Sequence, residues 1–385
     1  VSLRVLYFGT YDRGVGRNAI LRDGLRAVGV SVAECHAPVW PDTAAKLSAV
    51  RRPGAALGVA ARLAATWPRL VRCHQQAGPF DVLLVGATGH PDLLLARRLA
   101  QRARQLLVFD PLVSLTETVR DRGLTAPDAR WLAALGRLER WLFAQADLTL
   151  VDTATHALAL ATEVGLDPAR ALVVPVGAPE VYRATADYAP GPPGKPLEVV
   201  YFGQYIPLHG LDTVVAAAAR LSQRPDIRIT LVGRGQRLPE VARRVAELEL
   251  SNLRLVDAWL TPDELVAQHI APADVCLGIF GAQPKAARVV PFKVYAALAA
   301  GRPVVTADTP ALRELLVPGS EVWAVPPADA PALADALIQL ADDPGLRQRL
   351  ANSGRAAYDA RFRPAVLGAG LRDALQAALD RRVAQ

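Results

Sequence analysis

Methionine is absent from this chain of 385 residues, cysteine occurs three times and aromatic residues make up 6%. Cys35, Cys73 and Cys276 are odd in number and far apart, which argues against a disulfide framework or a thiol metal pair and reads as reduced thiols. No apolar run reaches the roughly 18 residues of a spanning helix, and no basic stretch followed by an apolar one opens the chain. A cytoplasmic protein is the expectation. No D-x-D, H-x-x-x-H or C-x-x-C pattern occurs, so neither a tightly held catalytic metal nor a resident cofactor is predicted. Low-complexity stretches and short tandem repeats are missing too, which excludes a solenoid. The last absence is local: from Lys46 to Gln76 there is no Asp or Glu, while Lys46, Arg51, Arg52, Arg62, Arg69 and Arg72 fall in that span.

Hydrophobic residues at 51% and charged residues at 21% suit two or three globular domains. The net charge of +7 favours acidic partners, although arginine is spread through the whole chain. Within the acid-free span Leu63, Trp67 and Leu70 recur at helical spacing beside the cations. That pattern fits a basic amphipathic helix on an anionic membrane surface through 46–76, and equally the solvated face of an ordinary helix. A nucleic-acid partner is not expected.

The segment LRVLYFGTY at 3–11 returns as LEVVYFGQY at 197–205. Each is an apolar run ending in Gly at the head of an amphipathic stretch, the form of a buried parallel strand whose carboxyl end lets backbone approach a ligand. The chain thus starts an α/β domain twice, and two such domains imply a cleft. Strand-like runs at Leu3–Phe8, Val82–Val85, Leu106–Phe109, Leu148–Val151 and Leu172–Val176 alternate with helical stretches in the first half. In the second half they fall at Val199–Phe202, Ile227–Val232, Leu253–Val256, Val275–Ile279, Pro303–Thr306 and Val322–Val325. The boundaries predicted are 1–184 for the first Rossmann-like domain, 185–196 for a Pro/Gly-rich linker, 197–363 for the second domain and 364–385 for a terminal helix.

Chemistry-bearing residues cluster at predicted strand ends. GTYDRGVGRN at 9–18 lacks the G-x-G-x-x-G spacing of a dinucleotide site; Gly14 and Gly16 permit close approach and Arg13 and Arg17 offer cations to a cleft, while a plain strand-to-helix turn accounts better for each residue taken singly. PKAARVVPFK at 284–293 sets Lys285, Arg288 and Lys293 around a helix start at Pro291, where cations and unpaired amides make a diphosphate site. His209, in IPLHG, lies on the loop leaving the first strand of the second half, and packing or capping accounts for it as well. Gly233 and Arg234 follow another strand, and Trp259 either stacks on a base or closes the core. Asp110 ends a first-half strand, and His90 in GATGHPD competes with it; a turn or helix cap explains Asp110 equally.

Taken together, LYFGTYDRGVGRN, FDPLVSLTETVRDRG, YFGQYIPLHGLDTVVAAA, LGIFG and PFKVYAALAAGRPVVTADTPALRELL resemble the retaining family-four glycosyltransferases of the GT-B fold, over about Leu3 to Arg363. The resemblance implies two facing Rossmann-like domains with parallel sheets, the second holding a nucleotide-sugar donor and the first the acceptor, and a last helix that crosses back to the first domain. It implies transfer of a sugar, without a metal, from a nucleoside diphosphate to a lipid, glycan or small-molecule acceptor that the sequence does not name. Many members carry G-R-x-x-x-x-K-G where this chain has Gly203, Gln204, His209 and Gly210, in a variant with PLHG. Many also bracket the donor with two glutamates, where this chain has Ile279 and Ala296, so that the usual ribose contact stays open at Ala296.

The resulting expectation makes Asp110, His209 and Lys293 catalytic. Gly203, Gln204, Gly210, Gly233, Arg234, Trp259, Lys285 and Arg288 bind the donor, and Gly9, Thr10, Tyr11, Arg13 and His90 stand on the acceptor side. A non-catalytic GT-B protein that binds a sugar nucleotide or a partner enzyme is the alternative, and a hydrolysing sugar-nucleotide epimerase a third reading.

Overall fold

The computed structural model describes residues 3–39, 53–121, 130–183, 186–192 and 194–383. Contacts divide the chain into two units, Val1–Pro175 with Pro364–Gln385, and Val176–Arg363.

The first unit is built on a six-stranded parallel sheet: β1 (Arg4–Gly9), β2 (Ser31–His36), β3 (Val82–Val85), β4 (Leu106–Phe109), β5 (Leu148–Val151) and β6 (Ala171–Val173), in the order β2-β1-β3-β4-β5-β6. Strands buried on both faces read as unbroken apolar runs, and VLLV and LLVF of β3 and β4 are fully buried. The edge strand β2, SVAECH, escaped the sequence reading because it mixes polar and apolar residues and is only partly buried. Its helices are α1 (Gly16–Ala27), α2 (Pro53–Gln76), α3 (Leu93–Ala103), α4 (Leu115–Asp121), α5 (Arg130–Phe143) and α6 (Ala154–Val164). The Thr153 hydroxyl accepts from the amide of His156 and so fixes the start of α6.

The second unit repeats the plan with β7 (Leu197–Phe202), β8 (Ile227–Val232), β9 (Leu253–Val256), β10 (Val275–Leu277), β11 (Val304–Ala307) and β12 (Trp323–Val325), ordered β12-β11-β10-β7-β8-β9, again all parallel. Its helices are α7 (Leu211–Arg220), α8 (Leu238–Glu247), α9 (Pro262–Leu265), α10 (Phe292–Ala299), α11 (Pro310–Leu315), α12 (Ala330–Asp342) and α13 (Pro344–Arg361). A core from Leu197 on β7 to Leu350 on α13 joins β7, β8 and β10 to α7 and α12.

The last helix, α14 (Pro364–Val383), belongs to the first unit and packs on α1. Gly24 and Gly368 make that approach: a Cβ on either would collide with backbone of the other helix or of its first residue. Leu371 and Leu375 of α14 complete the core shared with Leu21 and Leu25 of α1.

Two boundaries differ from the sequence reading. The chain enters the second unit at Val176, ahead of the break expected after 184, because the Ala178 carbonyl accepts from Tyr358 and Arg183 pairs with Asp359 at 3.1 Å. The described part of 185–196 is not a free linker, since Tyr188 is buried, donates to Asp274 at 3.1 Å and accepts the side chain of Gln348 at its carbonyl. Pro and Gly content records irregular backbone, and a strap tied to a surface has the same composition as a tether.

Candidate functional site

In a doubly wound sheet, ligands bind outside the carboxyl ends of the strands where the strand order reverses. In the second unit that point lies between β7 and β10, since β7 leads to β8 and β9 on one side and β10 leads to β11 and β12 on the other. The loops leaving those two strands meet there. The side chain of Gln283 donates to the carbonyl of Pro207 at 3.2 Å, and the amide of Phe280 donates to the carbonyl of His209 at 3.0 Å.

Glycine is required at two positions of this junction. Gly203 has φ +129°, and a Cβ there would stand 3.3 Å from Cε and 3.5 Å from Nζ of Lys293. Gly210 has φ +63°, and a Cβ would stand 2.5 Å from the backbone of Phe280 and Gly281. Gly210 is the N-cap of α7 and Pro291 the N-cap of α10, and neither helix start has a side-chain cap. Two helices therefore begin here without a side-chain cap on their first amides.

Lys293, the second residue of α10, is buried. Its Nζ lies 3.9 Å from the centroid of the Tyr201 ring and 3.2 Å from Nδ1 of His209. The same nitrogen lies 2.6 Å from the Tyr201 hydroxyl and 2.6 Å from the carbonyl oxygen of Gln204, to which Tyr201 also donates at 2.7 Å. One ring nitrogen cannot donate to a carbonyl and accept from an ammonium at once, so His209 engages at most one of the three donors of Lys293. Burial pushes the Lys293 ammonium well below its usual range. An anion placed beside it would raise that pKa again.

Lys285 is buried and Arg288 half-buried, both on the turn from Pro284 to Arg288 that leads into α10. Arg234, at the end of β8, is bound to Asp257 beyond β9 (2.7 Å), and both are largely exposed. Gly233 passes so close to the carbonyl of Gly203 that a side chain is excluded. Trp259 is 64% exposed, which rules out the reading that it closes the core. Ala296 and Ile279 are buried, at 0% and 2% exposed, and neither offers a carboxylate.

Unit 1 corrects three expectations. Asp110 is no accessible catalytic carboxylate: it is fully buried and bound by Nε of Arg17 at 2.8 and 2.9 Å, while Nη1 of Arg17 donates to the carbonyl of Val174 at 2.8 Å. Burial raises the Asp110 pKa against the pull of Arg17, and the ion pair ties α1 to the ends of β4 and β6. His90 is also fully buried, edge-on to Phe109, and burial lowers its pKa, so it packs neutral rather than lining an open surface. Thr10 and Tyr11 point inward, Tyr11 donating to Glu34 at 2.7 Å; of the expected acceptor residues, Arg13 is exposed.

Asp92 and Tyr201 were missed by the sequence reading. Asp92 accepts from the amide (2.6 Å) and hydroxyl (2.9 Å) of Thr10, and a Cβ on Gly9 would stand 2.5 Å from its carboxylate. Its pKa is pushed up to about 6 by burial. Tyr201 did leave a signal: it repeats Tyr7 in the two YFG segments, and Tyr7 likewise reaches the head of the next helix, donating to Asn18 at 2.7 Å.

Leu63, Trp67 and Leu70 of α2, which the sequence fitted to a membrane surface or to an ordinary helix equally, pack in or against the first unit's core, leaving Arg62, Arg69 and Arg72 exposed. Lys46, Arg51 and Arg52 lie outside the described residues. Among the described residues no helix is long and apolar enough to cross a membrane.

Residues 196–343 match the family described as Glycosyl transferases group 1. The chain is 25% identical over 290 residues to the MMP alpha-(1->4)-mannosyltransferase of Mycolicibacterium hassiacum, covering 72% of this chain and 66% of that protein. It is 30% identical over 288 residues to the D-inositol 3-phosphate glycosyltransferase of Nocardia farcinica, covering 70% of this chain and 62% of that protein. The chain thus spans under two thirds of the length of either relative. Among solved structures it superposes on Anabaena HepE in complex with UDP-glucose with a TM-score of 0.71, covering 97% of this chain and 100% of that one. At 16% identity that likeness is one of fold.

Proposed function

We propose that this chain is a group 1, family-four glycosyltransferase of the GT-B fold and transfers a sugar with retention from a nucleoside diphosphate sugar to a lipid, glycan or small-molecule acceptor. The observation that carries the reading is the buried Lys293 ammonium beside His209, at a strand-order reversal where α7 and α10 both begin uncapped.

The chemistry follows from charge. Breaking the sugar–phosphate bond builds negative charge on the departing diphosphate, and fixed donors in a water-poor site stabilise that charge more in the transition state than before it. Lys293 and the first amides of α7 and α10 supply those donors, so the step needs no metal in this reading. Tyr201, the Gln204 carbonyl and His209 hold the lysine in place. A retaining step needs no protein base if the leaving phosphate takes the acceptor's proton, which suits a first unit whose Asp110 is sealed into an ion pair. The first unit then serves the acceptor and the second the donor.

The test is a thermal-shift panel of nucleoside diphosphate sugars, beginning with UDP-glucose because HepE is seen with it, followed by turnover assays. A donor at about 100 times its Kd adds about 2.7 kcal/mol to stability. Transfer lost in Lys293→Ala supports the reading; no stabilisation by any diphosphate sugar removes it.

The non-catalytic reading draws on one observation, the closed packing at Ala296 and Ile279 in place of two family carboxylates. It predicts binding in the same panel with no turnover across acceptors.

A further inference from the structure

Helices α2, α3, α5 and α6 all send side chains into one core beneath the first sheet, and α1 and α14 serve the other core. The outward surfaces of the first four therefore form one layer. Its exposed charge is of one sign on α2, α3 and α5: Arg69 and Arg72, Arg98 and Arg102, Arg137 and Arg140 are exposed. These three helices contain one carboxylate, Glu139, which is buried and accepts from the Ser114 hydroxyl at 2.9 Å and the Thr116 amide at 3.1 Å.

On α5 large apolar side chains also face outward. Trp131, Leu138 and Trp141 are 41%, 49% and 50% exposed, and Leu158 on the adjoining α6 is 67% exposed. Positions 131, 138 and 141 fall within about 80° of the helix circumference at about 100° per residue, beside the face that supplies Leu142 and Phe143 to the core. The stripe is exposed along the border of that buried face, and Arg137 and Arg140 stand on its solvent side.

We propose that this layer docks on an anionic membrane surface, Trp131, Leu138 and Trp141 entering the headgroup region while Arg137 and Arg140 meet lipid phosphates. Indole rings settle at the water–lipid boundary, and exposed basic residues beside them add attraction to anionic lipid. A second copy of the chain fits the stripe less well, since pairing through α5 would set Arg137 and Arg140 against their counterparts with no exposed carboxylate on α5 to offset them. The inference does not rest on the transfer reaction, and it moves the apolar anchor from α2, where the core claims it, to α5.

The experiment is flotation of the full chain with phosphatidylcholine vesicles with or without phosphatidylglycerol, over a range of salt. The variants are Trp131→Ser/Trp141→Ser, Arg137→Gln/Arg140→Gln and, as a control for net charge, Arg243→Gln/Arg244→Gln on exposed α8. Matched melting curves establish that each variant is folded. Wild type should bind vesicles that contain phosphatidylglycerol and release them in high salt. The arginine pair should weaken binding about 30-fold, at about fivefold per charge, and the tryptophan pair about tenfold or more. The control should change it less than about twofold. No binding by wild type, equal loss in the control, indifference to the tryptophan pair, or a tryptophan-dependent dimer without vesicle binding would each overturn the proposal.

Discussion

The Nζ of Lys293 lies 3.2 Å from Nδ1 of His209, and both sit below the protein surface. Neither nitrogen neutralises the other, because imidazole offers no negative charge. An ammonium in that position lowers folded-state stability until an anion arrives. Lys293→Met should therefore raise the melting temperature of the free protein and abolish stabilisation by diphosphates. Melting curves with and without ligand check both halves; a variant that melts lower and still binds would refute the assignment.

The same depressed pKa has a pH signature. The unfolded chain holds the Lys293 proton over the window between the depressed folded pKa and the usual lysine value, so stability from this group rises with pH across that window. A bound diphosphate brings the pKa back up. Binding in the window then takes up a proton and weakens as pH rises. Calorimetry in two buffers of different ionisation heat should show proton uptake on diphosphate binding by the wild type within that window and none at this site well below it.

Much of this site was legible in the chain itself, and the reasons it was not all legible are physical. PFKVYAALAAG announced a helix start with a cation because Pro291 and Gly301 punctuate it, and the repeat of YFG announced two sheets. Burial was invisible. Asp110 and Arg13 look alike as charged residues at strand ends, yet one is sealed by Arg17 across 93 positions of sequence and the other is exposed. No local pattern encodes so distant a partner. The apolar face of α2 is ambiguous in sequence for the same reason: periodicity shows that a face exists and not what covers it.

Asp110→Asn tests the sealed pair. Removing one charge leaves Arg17 buried without its counter-ion, which costs about 3–5 kcal/mol. Denaturant unfolding should show the loss, while kcat of the folded fraction, assayed well below the melting point, stays near that of wild type. A large fall in kcat without loss of stability would return Asp110 to the catalytic set.

Trp259→Ala should do the reverse. At 64% exposure the indole contributes little to folding, and stability should change by no more than about 0.5 kcal/mol. If the ring stacks on the donor base, as an aromatic face past a strand end is able to do, the Kd for the nucleoside diphosphate rises while kcat changes little. Equal affinity in variant and wild type would leave Trp259 as surface alone.

Asp92 supplies a last test, this one in the first unit. Its folded pKa of about 6 lies above its ordinary 3.8, so the folded state holds the proton more tightly than the unfolded chain between those values. Stability from this group is fully present below about pH 4 and is lost as pH rises to about 6, at most about 3 kcal/mol in all. Asp92→Asn keeps an acceptor for the Thr10 amide and hydroxyl and cannot ionise. Urea unfolding of the variant should lack this fall between pH 4 and 6, which the wild type shows against its other titrations. Parallel profiles for the two proteins would mean that the Thr10 bonds hold Asp92 ionised despite its burial, and that the loop from Gly9 to Tyr11 is anchored by a full charge.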